Sequence, residues 1–277
     1  RQKPDNNKRY QLFLDLEVAK LIDKYGLTAP QGEGEVQSGL PPVLDSGCYL
    51  ELEVTPKQAE ELLNLWRTKE VVHIVALPSL DVVCVECHLN DDSWNASLLM
   101  ADKLENYNEI LRGLFYDPAI KKTVHGVKNL CRALLEEGIT PAGFVFDTEV
   151  AAYLLAPTDG SYELDKLGLT YYSQQFPNAS VYLEEGAFGP LSDPSGPAEA
   201  MMRHCLLIDA LREALTARLK ELDMWTLYET VDLPLCQVLA EMETEGLLID
   251  RGALAEFGDM LSGRIDQAQR TIYELAG

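Results

Sequence analysis

Val71-Val-His-Ile-Val-Ala-Leu77, Pro78-Ser-Leu80 and Asp81-Val-Val-Cys-Val-Glu-Cys-His-Leu89 form the stretch whose reading decides the fold. The first part is a continuous apolar run of strand length, the mark of a strand buried on both faces at the centre of a sheet. The last part alternates and reads as a second strand, paired with the first through the turn at Pro78-Ser79. Before them, Cys48-Tyr-Leu-Glu-Leu-Glu-Val54 also alternates, and its charged face marks an edge strand. Pro56 to Arg67 between them has helical character.

After Leu89 the pattern changes. Ile110–Tyr116 reads as a helix, Thr123–Val127 as a short strand, and Asn129–Glu137 as a helix stopped by Gly138. Phe144-Val-Phe146 is strand-like and leads into a helix from Thr148 to Leu155. A polar stretch, 173–196, reads as loop, and a long helix runs from Ala198 to about Leu222. Strands first, then helices interleaved with short strands, describe an α/β fold with a ribonuclease-H-like mixed sheet and flanking helices.

The ends have their own character. Residues 9–27 make a short amphipathic helix ended by Gly26, and 28–47 lose periodicity and collect Pro30, Gly32, Gly34, Gly39, Pro41 and Pro42, as a linker does. At the other end Leu235, Val238, Leu239 and Met242 recur at helical spacing up to Gly246. A short strand Leu247-Leu-Ile249 is expected next, then Asp250 capping a second long helix from Arg251 to Glu274. The first residue is not Met and the last is Gly277, which reads as a fragment of a longer protein.

The 277 residues are 47% apolar, enough for a proper core, and no run reaches the ~18 apolar residues of a membrane helix. No signal peptide is visible, which places the chain in the cytoplasm. Against 23 Lys and Arg stand 45 Asp and Glu, a formal net charge of −22. Duplex DNA is held mainly by basic groups that displace phosphate counterions, so a chain this acidic is expected to bind DNA weakly. Its small basic clusters, Lys121-Lys122 with Lys128 and Arg132, then Arg212, Arg218 and Lys220, read as solvated helix faces.

Six cysteines form no regular framework, in keeping with a reducing compartment. Cys84-Val-Glu-Cys87-His88 has the form of a haem attachment motif. On a strand, however, residues three apart point to opposite faces, so the two thiols read as buried strand cysteines.

Two phrases carry a family resemblance. Gly143-Phe-Val-Phe-Asp147-Thr148-x-x-Ala151-Ala152-Tyr153-Leu154-Leu155-x-Pro157, followed by Tyr162-Glu-Leu-Asp-Lys-Leu167, resembles the 3′–5′ exonuclease domain of bacterial DNA polymerase I, family A. Tyr228-Glu-x-x-x-x-Pro234-Leu with Leu239-Ala-Glu-Met-Glu-x-x-Gly246-x-x-Ile249-Asp250 resembles the start of that family's polymerase domain, where the thumb begins. The resemblance divides the chain into a 5′-nuclease tail (1–27), a linker (28–47), an exonuclease-like domain (48–222) and the α-helical base of the thumb (223–277).

What the resemblance implies about activity turns on carboxylates. Such exonucleases use four to hold two divalent ions about 4 Å apart, one preparing the attacking water and one stabilising the leaving oxygen. Hard Mg²⁺ or Mn²⁺ needs oxygen ligands. The family's first motif, Asp-x-Glu, falls at Val75 and Leu77. The second falls at Cys131. The third, Tyr-x-x-x-Asp, falls at His204 and Ala210. With no ligand left, the domain is expected to hold no metal and to have no proofreading activity.

One alternative is an active exonuclease built from Asp147-Thr-Glu149 and His204-x-x-x-x-Asp209. Against it, His204 and Asp209 sit about 140° apart on a helix, Asp147 suits an N-cap, and Asp209 suits a solvated helix flank. A further alternative is an acidic protein–protein adaptor. The expectation is therefore a non-catalytic segment of a polymerase acting in replication and repair. Its partners would be the remaining polymerase domain of the same chain and, through it, primer–template DNA; Mg²⁺ would serve in a palm outside this segment.

Overall fold

A computed structural model describes residues 48–90 and 93–276. The expected tail helix and linker lie outside these residues. The first compact unit ends at Glu241 and a second comprises Met242 onward.

The first unit is built on a six-stranded sheet. Its strands are β1 (Cys48–Glu51), β2 (Val72–Ala76), β3 (Val82–Asn90), β4 (Ser93–Met100), β5 (Lys122–Val124) and β6 (Phe144–Asp147), in the spatial order β1-β4-β3-β2-β5-β6. β3 runs antiparallel to both β2 and β4, whereas β1 is parallel to β4 and β2, β5 and β6 are mutually parallel. The decisive stretch thus reads correctly: β2 sits centrally, β3 folds back on it, and the charged strand β1 lies at the edge. β4 was not foreseen.

Alternation along the strands sorts the core into two layers. Val72, Ile74, Val83, Val85 and Cys87 pack on one face, against α1 (Pro56–Thr68), α2 (Tyr107–Tyr116) and α3 (Val127–Glu136). Trp66, Phe115 and Leu134 from those helices are fully buried, each worth about 1.5–3 kcal/mol of apolar burial. Val75, Val82, Cys84, Leu98 and Phe146 face the other way. They meet α4 (Thr148–Leu155), α5 (Leu164–Tyr172) and the 27-residue α7 (Ser195–Glu221). Cys84 and Cys87 therefore do lie on opposite faces, and both are free thiols.

Start signals behave as their chemistry dictates. Thr55 and Gln58 form a reciprocal capping box at α1, with Gln58 Oε1 accepting from Thr55 N–H at 2.9 Å. Within the segment read as loop, a single turn of helix, α6 (Ser180–Leu183), brings Tyr182 into the core beneath α7. After α7 come α8 (Trp225–Leu227), a π-helical turn (Tyr228–Asp232) and α9 (Leu233–Glu245). Tyr228 is fully buried in the α7 layer, while Cys236 and Ala240 enter the opposite layer. The segment after Leu222 thus supplies core residues to the sheet domain.

Lys122 departs from the solvated reading of its cluster. It is fully buried at the start of β5, and its ammonium donates to the carbonyls of Asp117, Ile120 and Ala142 at 2.9, 2.6 and 2.8 Å. The neighbouring turn depends on Gly143, whose φ is +75°. A Cβ there would lie 2.5 Å from the Ile120 carbonyl oxygen and 2.8 Å from Lys122 Nζ.

In the second unit Asp250 caps α10 (Arg251–Ala276), accepting from Gly252 and Ala253 N–H at 2.9 and 3.0 Å. The expected strand Leu247–Ile249 does not form. Among the described residues no strand pairs with it, and Leu247 and Leu248 are fully exposed.

Candidate functional site

α7 runs along the sheet face that carries Val75, and the positions singled out in the sequence can be placed against it. Val75 in β2 pairs with Cys84 in β3 and is buried in the α7 layer, where Cys205 of α7 also donates its S–H to the Cys84 carbonyl at 3.7 Å. Leu77 follows on the same side, partly buried in the same layer. Cys131 is elsewhere. It lies on α3 in the opposite core layer beside Val127 and Leu134, so the sheet separates it from Val75 and Leu77.

His204 and Ala210 cannot fill the two places of a Tyr-x-x-x-Asp motif. They are six residues apart, about 120° around a helix, whereas the motif's four-residue spacing keeps its members within about 40°. Ala210 is partly buried and its carbonyl accepts from Tyr172 Oη–H at 2.7 Å. His204 is buried and spent at both ring nitrogens. Nε2 lies 2.8 Å from the Pro177 carbonyl, which can only accept, so Nδ1 accepts from Tyr182 Oη–H at 2.8 Å. Burial pushes its pKa down to about 4, so this ring is a neutral pin between α7 and the segment beneath it.

Asp147 ends β6 and is fully buried. As expected it caps α4, accepting from Glu149 and Val150 N–H at 2.8 and 3.4 Å. It also accepts from Gly126 and Val127 N–H at 3.1 and 2.6 Å, where α3 begins. One carboxylate thus closes the first turns of two helices, aided by Gly126 at φ +81°. Burial pushes its carboxyl up, against the pull of those four N–H groups. The backbone of Asp147 is held too, with its N–H donating to Tyr228 Oη at 2.6 Å and its carbonyl accepting from that hydroxyl at 3.1 Å.

The chemistry-bearing cluster of this face lies instead around Asp209. Asp209 does not flank the helix in solvent. It points into the sheet, with Oδ1 3.1 Å from His73 Nε2 and Oδ2 2.6 Å from His88 Nε2. Arg212, one turn on, approaches Oδ1 at 3.8 Å. Burial raises the Asp209 carboxyl, but the two histidines outweigh it and hold the group well below the usual carboxylate range.

His73 is wholly buried, which pushes its pKa down and keeps the ring neutral. Its Nδ1 lies 2.5 Å from Thr123 Oγ1, whose own hydroxyl donates to the Val72 carbonyl at 3.4 Å. Nδ1 and that hydroxyl therefore share one proton, and Nε2 faces Asp209. The hydrogen bond to Asp209 pushes the pKa of His88 up. Trp94 Nε1 lies 2.9 Å from His88 Nε2, which cannot accept the indole N–H while it donates to Asp209. Glu86 completes the group. It is the cross-strand partner of His73, fully buried, and neither carboxyl oxygen finds a donor among the described residues. Burial pushes its carboxyl well up, reinforced by the nearby Asp209 charge.

Sequence reasoning named Asp209 but missed its partners. His73 was hidden inside a run read as apolar throughout. Glu86 and His88, two apart on β3, carried the available signal: alternate polar residues on a strand expected to be buried. The four-carboxylate centre of a two-metal exonuclease does not fit this donor set. Val75 and Leu77 offer no oxygen, Cys131 is on the other face, and Asp147 uses both oxygens on backbone N–H groups.

No family model matches the chain. Among curated proteins, DNA polymerase I of Geobacillus stearothermophilus is 31% identical over 161 residues, 58% of this chain and 18% of that protein. DNA polymerase I of Mycobacterium tuberculosis H37Rv is 28% identical over 278 aligned positions, 99% of this chain and 30% of the relative. The chain thus spans less than a third of the length of these relatives. Among solved structures, the POL domain of Pol1 from M. smegmatis, in complex with DNA primer-template and dNTP, superposes with a TM-score of 0.62 at 21% identity. That match covers 81% of this chain and 37% of the other. Escherichia coli RNase D, an exoribonuclease, superposes at 0.55 with 14% identity, over 70% of this chain and 51% of the other. The fold is ribonuclease-H-like, as in 3′–5′ exonucleases, and along nearly its whole length the chain is similar in sequence to a segment of DNA polymerase I.

Proposed function

We propose that this chain is a non-catalytic structural segment of a DNA-directed DNA polymerase I acting in replication and repair, and that its exonuclease-like domain does not proofread. One observation carries the reading: on the strand face that meets α7, Val75 and Leu77 are apolar and packed into the core, with Val75 paired to Cys84 beneath Cys205. Two-metal phosphodiester hydrolysis needs anionic oxygen at such positions to hold hard cations and the attacking water. Of the carboxylates nearby, Asp147 is committed to helix caps and Asp209 to two imidazoles, which leaves Glu86 alone where the two-metal centre uses four. His204, the remaining member of the alternative constellation, has no free ring nitrogen.

On this reading the domain serves as a platform for the rest of the polymerase, whose Mg²⁺-dependent chemistry takes place in a palm outside this segment. Burial of Tyr228 and Cys236 from the polymerase-entry phrase within the sheet domain supports that role. With −22 of net charge the segment itself adds little affinity for primer–template DNA. Among the described residues no helix is long and apolar enough to cross a membrane, and we place the protein in the cytoplasm.

The test is trimming of a labelled single strand and of a mismatched primer by the 277-residue chain with Mg²⁺ or Mn²⁺. No shortening is expected. Metal-dependent shortening that Asp147→Ala or Asp209→Ala abolishes would overturn the reading.

A further inference from the structure

We propose that His73 Nε2, His88 Nε2 and a carboxylate oxygen of Asp209 bind one divalent transition-metal ion of the borderline class typified by Zn²⁺, tying α7 to the centre of the sheet. The three donor atoms lie within 4.8 Å of one another. Zinc bonds of about 2.0–2.1 Å in tetrahedral array bring ligand atoms to roughly 3.4 Å apart. The His73–Asp209 contact, at 3.1 Å, is close to that already. Each donor comes from a different rigid element, β2, β3 and α7.

The donors already converge. His73 Nε2 and His88 Nε2 lie 3.1 and 2.6 Å from the two oxygens of Asp209, and a cation taking the place of the ring protons between them would hold the same three donors. Arg212, at 3.8 Å, is too far to donate to Asp209 Oδ1. His73 Nδ1, 2.5 Å from Thr123 Oγ1, has on its far side the kind of oxygen partner that orients a metal-binding imidazole.

A second, independent observation is Glu86. Opposite His73, it leaves the sheet on the same face, fully buried, with both oxygens lacking donors. An orphaned acid beside an ionised Asp209 is costly in itself and is relieved by positive charge at this place. Two imidazoles with one carboxylate select zinc-like ions over Mg²⁺, so the site is unlike a nuclease's carboxylate pair. His88, with its side chain 45% exposed, provides the way in from solvent and room for a bound water.

The experiment is calorimetric titration of the chelator-stripped 277-residue chain with Zn²⁺. It is done on a Cys48→Ser background, because Cys48 is the one cysteine among the six that is not buried. One ion per chain is expected, with affinity falling roughly tenfold or more in His88→Gln and in Asp209→Asn. His88→Gln changes a partly exposed ring, and a cooperative melting curve without metal shows that the variant is folded when its affinity is read. Co²⁺ provides a second readout: it should quench tryptophan fluorescence in the parent and much less in Trp94→Phe, since Trp94 touches His88. No stoichiometric binding, or equal affinity in parent and His88→Gln, would overturn the proposal. The site stands independently of the proofreading question: zinc bound without strand trimming agrees with both readings, whereas trimming with retained binding would sink only the earlier one.

Discussion

Two carboxylates of this sheet domain, Asp147 fully buried and Asp209 partly so, have surroundings that differ in kind. Asp147 is surrounded by donors, with four backbone N–H groups on its two oxygens and Tyr228 fixing its own peptide. The Asp209 group is held by side chains instead, with His73 and His88 on its two oxygens and Glu86 unpartnered beside it. A saturated buried charge holds structure. One left wanting marks where a ligand, an ion or a proton has work to do. The literal Asp-x-Glu at Asp147 attracts the eye as a motif, yet it is the saturated member, and Glu86, the unsatisfied carboxyl, has no sequence signature.

The largest effect should come from removing the saturated charge. Asp147→Ala strips the cap from α3 and α4 together and leaves several buried N–H groups without acceptors. A loss of about 3–5 kcal/mol in urea unfolding is expected, since a cap alone is worth about 1 and each orphaned buried donor about 1–3. A loss under about 1 kcal/mol would mean that water reaches this corner and that the contrast with Asp209 fails.

Glu86→Met should move stability the other way. The carboxyl finds no donor among the described residues, and burial pushes its pKa well up, so an apolar side chain of similar length removes a desolvation penalty. A gain of about 1–2 kcal/mol is expected in the metal-free protein. A loss instead would show that Glu86 has a partner, which would bring the two carboxylate sites closer in character.

Tyr228→Phe probes the saturated site more gently. The ring contacts with Phe146 and Trp225, at centroid distances of 5.1 and 5.5 Å, stay in place. Only the hydroxyl, acceptor from Asp147 N–H and donor to its carbonyl, is lost. A cost of about 1–2 kcal/mol is expected by thermal or urea unfolding.

Much of the scaffold was legible because it is local. The β2 strand, the helix from Thr148 to Leu155 and the cap at Asp147 follow from apolar runs and capping chemistry within a few residues. β4 escaped because Ser93-Trp-Asn-Ala-Ser begins polar and only then turns to Leu98-Leu-Met100, so neither alternation nor an unbroken run announces it. Leu247-Leu-Ile249 was over-read for the opposite reason: three apolar residues cannot be a strand without a partner to pair with. The Asp209 cluster was out of reach because its contact spans 121 residues from His88. Only the packing of α7 on β2 and β3 makes neighbours of those side chains.

Lys122 gives the finest test of what saturation means, because it is a buried cation held by carbonyls where Asp147 is a buried anion held by N–H groups. Burial pushes its pKa down to about 8, against the favourable Asp117 charge. The unfolded chain keeps this lysine near its ordinary value of about 10.4. Between these two values the unfolded state therefore binds more protons than the folded one, and stability from this group rises with pH. The destabilising share is present in full below about pH 8 and disappears as pH climbs toward the unfolded value. Buried tyrosines such as Tyr107 and Tyr182, pushed up by burial, act in the opposite sense, so the comparison must be made against Lys122→Met. Urea unfolding of both proteins from pH 7.5 to 9.5 should show parent stability gaining on the variant as pH rises. A constant difference would mean that the carbonyls of Asp117, Ile120 and Ala142 hold the ammonium as firmly as water does, making Lys122 as saturated as Asp147.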